Sequence, residues 1–361
     1  MATRIIGFDL TRAYAIFGMF IVNFNTVFGS HSDQSLTGRF LVLFDGNSSS
    51  LFVILSGMGM ALMTGRSVYT TEEKNSIKKK ILKRAFFLMV AGFLLNLWWP
   101  ADILHFYGIY MSIAALLVFL PKRVYLWAAA SSILIFHLFL LFIPYETGWN
   151  FETLVYTGFW TFKGFMLHTF YNGWNSVFPW VAYFFMGMWL GRLNWSDLKI
   201  RKNIFLTGLA IFSMTEAVQY FAANNNHIDQ SLRLYITADY IPPFLPFMLS
   251  TSGSSLMILS FFIYLGDLSY MRDQITHSKI AKLFSATGQM TLTHYISHLT
   301  IGIVLFSLLT EKKYGIQVEL SPANILLFSV FYFMSSCLFS IYRLKNHKSG
   351  PIEMLMRKFS G

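Results

Sequence analysis

Ten apolar stretches, each approaching the roughly 20 residues that cross a bilayer, follow one another along a chain of 361 residues. They lie near 13–29, 48–65, 85–99, 103–120, 124–143, 178–191, 203–223, 244–266, 284–309 and 322–342. Spans of that length use about 200 residues and leave only short connections, with no room for a separate soluble domain. The whole chain, 1–361, therefore reads as a single integral membrane domain, an all-α polytopic helical bundle with about ten transmembrane helices. Composition agrees: 55% of the residues are hydrophobic and only 12% charged, about half of what soluble domains carry.

The net charge of +11 invites a nucleic-acid partner, but its distribution does not. With the N-terminus placed in the cytoplasm, 23 of the 28 Lys and Arg fall in inner segments, among them Arg12, the run KKKILKR at 78–84 and Arg192. Only Arg39, Lys163, Arg233, Lys312 and Lys313 fall outside. That bias is the positive-inside rule, and it places both termini in the cytoplasm. The basic charge is thus topology rather than a sign of nucleic acid. The first span has a basic start but no small-residue cleavage site, and Asn23 and Asn25 interrupt it; it reads as a retained helix, not a signal peptide. Cys337 is the one cysteine, so internal disulfides and cysteine-based metal sites are excluded. The short span at 85–99 implies tilted or locally thinned packing. No internal repeat is visible, which counts against the repeat-built transporter folds.

The longest outer connection, 144–177, interleaves Phe151, Tyr156, Phe159, Trp160, Phe162, Phe165, Phe170, Tyr171 and Trp174 with Glu152, Lys163 and His168. Amphipathic rings settle at headgroup depth, so this segment reads as interfacial or re-entrant. It serves as an aromatic anchor or as a lid over an outward site.

Polar groups at membrane depth are costly and mark function by default. Along the first span Arg12 stands at the inner mouth, and Asn23 follows eleven residues later, about 16 Å along the same helical face. His31 comes eight residues after that, with Asp45 ahead of the second span. In the ninth span His294 and His298 are spaced i, i+4 and share a face, beside Tyr295. Such a pair can relay protons, orient an acyl group, join a metal site or simply bond within the bundle interior. Too few further ligands accompany it for a metal, and none is expected. Asp102 and His105, His137 and Glu216 are further polar groups within or beside spans; each alone reads as a packing residue. KKKILKR could meet phosphates or simply stop a span on the inner side. No phosphate-cradling glycine loop, Gly-x-Ser-x-Gly or His-Glu-x-x-His motif occurs.

The segment RIIGFDLTRAYAIFGMFIVN, residues 4–23, resembles the opening helix of the transmembrane acyltransferase superfamily. The resemblance is closest to bacterial membrane proteins related to heparan-α-glucosaminide N-acetyltransferase, whose first helix carries Asn rather than His after the Arg. DGNSSSLFVILSGMGMALMTGR (45–66), YNGWNSVFPWVAYFFMGMWLGR (171–192), GQMTLTHYISHL (288–299) and GPIEMLMR (350–357) resemble later segments of the same proteins in the same order.

This resemblance implies a transmembrane acyltransferase-like fold in a bacterial plasma (inner) membrane. It implies transfer of an acyl group, most often acetyl, from cytoplasmic acetyl-CoA or another acyl-CoA to a hydroxyl or amine of an outward-facing glycan or small molecule. His31 would be the general base, Asp45 would fix its tautomer, and Asn23 or His298 would donate to the oxyanion. Arg12, Arg84 and Arg192 would meet CoA phosphates, with Tyr295 and His294 lining the donor site. Direct transfer and an acyl-histidine intermediate both suit these residues. Two competing readings are a transporter or exporter of a small polar or lipid-linked solute along the same polar seam, and a non-catalytic sensory or scaffolding protein in which the seam is structural glue. Membrane lipids surround the chain in each case, and a homo-oligomer is compatible with the sequence.

Overall fold

Each of the ten apolar stretches is built mainly of helix in the computed structural model, which describes residues 5–29, 33–66, 68–225, 227–271, 275–309 and 319–361. Among them, six helical runs are long and apolar enough to cross a membrane: Leu36–Met63, Lys122–Phe142, Leu198–Asn224, Leu245–Asp267, Thr291–Leu309 and Pro322–Asn346. Leu104–Leu117 and Val177–Leu190 are apolar but shorter. The chain is an all-α membrane protein whose only described strands, two residues each, form one hairpin.

Two compact units divide the chain: 1–52 with 201–209 and 253–355, and 53–200 with 210–252 and 356–361. The first unit is organised around α1 (Ile6–Phe28). Besides α1 it holds α2 (Leu36–Val42) and the opening of α3 (Asn47–Met63). The second unit follows with α4 (Thr71–Asn96), α5 (Leu104–Leu117), α6 (Lys122–Phe142), α7 (Phe162–Leu167) and α8 (Val177–Leu190). Then come α9 (Leu198–Asn224), α10 (Gln230–Ile236) and α11 (Leu245–Met271), and, in the first unit, α12 (Ile275–Gly288) and α13 (Thr291–Ser297). The chain finishes with α14 (Ile303–Leu309), α15 (Pro322–Asn346) and α16 (Pro351–Ser360).

In the first unit α1 packs on α12 and α15. The α1–α12 approach needs a glycine: a Cβ on Gly288 would stand 2.0 Å from the backbone oxygen of Asp9. Phe20, Phe24 and Phe28 line one side of α1 and meet Tyr332, Phe328 and Phe306 edge-on or tilted. These rings supply the apolar core that brings the polar groups of α1, α13 and α15 together.

In the second unit α4 packs on α5, and α6 on α8. The N-terminus of α4 is fixed by a capping box: the Glu73 N–H donates to Thr70 Oγ1 at 3.2 Å, and the Thr70 N–H to Glu73 Oε2 at 2.9 Å. Within this unit α3 and α8 cross through small residues. A Cβ on Gly57 would lie 2.0 Å from Phe184 O, one on Gly187 2.0 Å from Ile54 O, and one on Gly191 2.8 Å from the Ala61 Cβ. This is the small-xxx-small contact that drives helix association where lipid removes the hydrophobic incentive.

The aromatic 144–177 segment folds as the hairpin, with Trp149 opposite Tyr156, followed by α7 and a π-helical turn, His168–Asn172. Buried Asn172 staples it. Its Nδ2 donates to Tyr145 O (2.8 Å) and Thr147 O (2.7 Å), and its Oδ1 accepts from the Tyr156 hydroxyl (3.1 Å).

Candidate active site

The ninth apolar stretch, which reads as one continuous span, is interrupted at 289–290 between α12 and α13; from Thr291 to Leu309 it is one helical run in which a π-helical turn at His298–Gly302 joins α13 to α14. Inserting one residue into a helical turn re-aims a side chain, and such turns gather at functional sites. Here the side chain is fully buried His298, and it meets Asn23 of α1, 275 positions away, with Asn23 Nδ2 to His298 Nε2 at 2.7 Å.

The tautomer follows from the partners. His298 Nδ1 lies 3.2 Å from the backbone oxygen of His294, which can only accept, so Nδ1 carries the proton. In the neutral ring Nε2 is then the acceptor, and Asn23 must present its amide N–H to it. His298 in this state has no proton to offer an oxyanion. Asn23, held in place by the ring, keeps a second amide hydrogen. Phe20 and Tyr295 flank the imidazole, with centroids at 5.3 and 5.4 Å.

The His294 imidazole turns away from the His298 ring, which bonds to His294 only through the backbone oxygen. His294 Nε2 lies 2.8 Å from Ser340 Oγ, whose own hydrogen goes to Ser336 O at 2.7 Å; His294 Nε2 is therefore the donor. Buried Glu353 of α16 accepts from the backbone N–H (3.0 Å) and hydroxyl (2.5 Å) of Thr293, fixing the start of α13. Sequence reading placed the GPIEMLMR tail in the family pattern but gave this glutamate no task.

Arg12 is paired with Asp9, Nη1 to Oδ1 at 3.0 Å; buried Asp9 also accepts from the Ser285 hydroxyl at 3.2 Å. Asp45 sits in the turn between α2 and α3. His31, expected to be the base, lies outside the described residues.

The remaining expected residues belong to the second unit. Arg192 donates through Nη1 to Thr64 O (2.6 Å), and through Nη2 to Thr64 Oγ1 (2.8 Å) and Val118 O (3.1 Å). A guanidinium there caps the C-terminal ends of α3 and α5. Arg84 Nε faces Ser360 Oγ and its Nη1 faces Met63 Sδ, both at 3.4 Å.

One polar cluster that reads as packing from the sequence is better organised than expected. His105 Nδ1 and its backbone N–H both donate to Asp102 Oδ2, at 3.0 and 3.1 Å, with both residues fully buried. The His105 ring lies nearly parallel to that of His168, centroids 6.1 Å apart. His105 Nε2 and His168 Nδ1 are buried without hydrogen-bond partners among the described residues. Burial, and then the neighbouring His105, push the His168 imidazole down to about 3. Gly92 of α4 makes room for the dyad, since a Cβ there would fall 2.5 Å from Asp102 Oδ2. The signal in the sequence was the i, i+3 Asp-x-x-His spacing at a helix start.

Residues 4–224 match the family described as heparan-alpha-glucosaminide N-acetyltransferase, catalytic. Residues 189–361 match a second family, described as protein of unknown function (DUF418). No curated protein matches the chain at a significant level. The first match contains Arg12, Asn23, Asp45, Arg84, Asp102, His105 and Arg192, and the second contains His294, Tyr295 and His298. Matched over more than half of its length, this membrane protein belongs to the heparan-alpha-glucosaminide N-acetyltransferase catalytic family.

Proposed function

We propose that the protein is a multi-pass enzyme of the bacterial inner membrane that moves an acyl group, acetyl in the first instance, across the bilayer. The donor is cytoplasmic acyl-CoA, and the acceptor is a hydroxyl or amine of an outward-facing sugar, glycan or small molecule. Ten crossings with both termini in the cytoplasm suit the distribution of Lys and Arg. The observation that carries the reading is the Asn23–His298 bond, which holds an amide donor in an apolar, aromatic-lined interior. A fixed dipole in such a place is worth more than in water and needs no reorganisation during reaction.

The acceptor oxygen or nitrogen forms its bond to the thioester carbonyl carbon while its proton passes to His31, which Asp45 orients. Negative charge gathers on the carbonyl oxygen and is met by the second N–H of Asn23. Collapse breaks the carbon–sulfur bond, and the leaving thiolate takes up a proton. Arg12, Arg84 and Arg192 meet the CoA phosphates, and Tyr295 and His294 line the donor end. Arg12 does so while paired to Asp9, so its net contribution is smaller than that of an unpaired cation.

The test is release of free thiol from acetyl-CoA by the full-length protein in liposomes, with amino sugars supplied as acceptors. Asn23→Ala and His31→Ala should abolish acceptor-dependent release. Movement of an unmodified solute with acetyl-CoA left intact would replace this reading with the transporter.

A further inference from the structure

The lysine run at 78–80 and 83 does more than end a span. Asn75, Lys78, Lys79, Leu82, Lys83 and Phe86 of α4, with Phe359 of the C-terminal helix, line a groove of about 440 Å³. The α4 positions lie within a stripe less than half the helix circumference wide. Its polar residues all precede Phe86. Phe86 and Phe359 form the far end, their rings nearly parallel and 6.2 Å apart.

The row continues past the groove. Lys78, Leu82, Phe86, Val90 and Leu94 are successive i+4 positions, which form one ridge on a helix. Its four apolar members are all exposed, while Ile81, Ala85, Leu88, Gly92 and Leu95 on the opposite side are buried. One ridge therefore starts with ammonium groups and runs on as an uncovered apolar track about 18 Å long. Exposed apolar surface of that length contacts acyl chains, and lysines at its head reach the headgroup layer.

We propose that this ridge is a binding site for an anionic phospholipid. The headgroup phosphate sits on Lys78, Lys79 and Lys83, an acyl chain lies along Leu82, Phe86, Val90 and Leu94, and Phe359 closes one side. Coenzyme A offers phosphates too, but it has no long chain to use the track. The site stands whether or not the protein transfers acyl groups.

The test uses delipidated, full-length protein in detergent. Thermal shift and native mass spectrometry are recorded with phosphatidylglycerol, phosphatidylcholine of the same chains, acetyl-CoA or inorganic phosphate as the probe. Phosphatidylglycerol should bind saturably and raise the melting temperature; phosphatidylcholine should not. The K78Q/K79Q/K83Q variant should lose at least tenfold in affinity. A variant removing three lysines elsewhere, K199Q/K345Q/K348Q, should lose less than twofold. If the triple variant does not fold, Phe86→Ala with Phe359→Ala serves, and it should weaken phosphatidylglycerol while leaving inorganic phosphate unaffected. Equal binding of both lipids, equal losses in the two lysine variants, or competition by acetyl-CoA at the same site would each overturn the proposal.

Discussion

Replacing Asn23 by alanine separates what the Asn23–His298 bond does for stability from what it does for reaction. The bond is short, 2.7 Å, and its acceptor sits on a fully buried ring. Its loss leaves the His298 Nε2 lone pair unmatched, which costs about 1–3 kcal/mol by the general rule for buried polar atoms. Hydrogen bonds between membrane helices average only about 0.6 kcal/mol, so the lower end applies and most molecules stay folded. Removing an oxyanion donor lowers kcat by about 100–1,000-fold, or about 2.7–4 kcal/mol. An interaction made only in the transition state should leave KM for acetyl-CoA nearly unchanged. Asn23→Asp adds a control. The carboxylate can still face the ring, provided Nε2 takes a proton, but it has no N–H for an oxyanion; its rate should fall as far as that of Asn23→Ala. Thiol-release kinetics beside thermal melts would measure both effects. Activity of folded Asn23→Ala within threefold of the parent, or full activity of Asn23→Asp, would refute the assignment of Asn23 as a donor.

Three further outcomes follow from the geometry. Gly288→Ala drives a Cβ to 2.0 Å from the Asp9 backbone oxygen, so α1 and α12 must part; a loss of about 1–3 kcal/mol, seen in a thermal melt, is expected, and no change would mean the two helices do not pack so closely. Glu353→Gln leaves one oxygen to accept from both Thr293 groups, at a cost of about 1–3 kcal/mol, and proteolysis near α16 should quicken. The His168 imidazole is held down at about 3 in the folded protein against about 6.5 unfolded. Its contribution is therefore complete above pH 6.5 and lost as pH falls toward 3, on the order of 5 kcal/mol at the limit. His168→Phe should flatten the acid limb of a stability–pH curve, and an unchanged acid limb would show that this ring does not titrate so low.

Hydropathy located the helices because burial in lipid leaves a strong, local trace. It misplaced ends where charges are neutralised by neighbours. The first stretch reads as starting at 13, yet α1 begins at Ile6, because Asp9 and Arg12 pair three residues apart. The fourth helix begins at Thr71, well before the apolar run at 85, since lysines on an exposed face do not interrupt a helix. The break at 289–290 and the π turn at His298 left no such trace. The shared face of His294 and His298 was legible, but their partners were not: Ser340 and Asn23 are brought in by the packing of α15 and α1. Asp102 and His105 are local in sequence, and only their burial raises them above packing residues.

Acetyl-CoA binding tests the central claim most directly. Calorimetric titration of acetyl-CoA into the full-length protein in detergent should show saturable binding, weakened several-fold by Arg12→Ala and unaffected by Asn23→Ala. Folded protein that gives no heat and no thermal shift with acetyl-, propionyl- or succinyl-CoA would contradict the acyltransferase account.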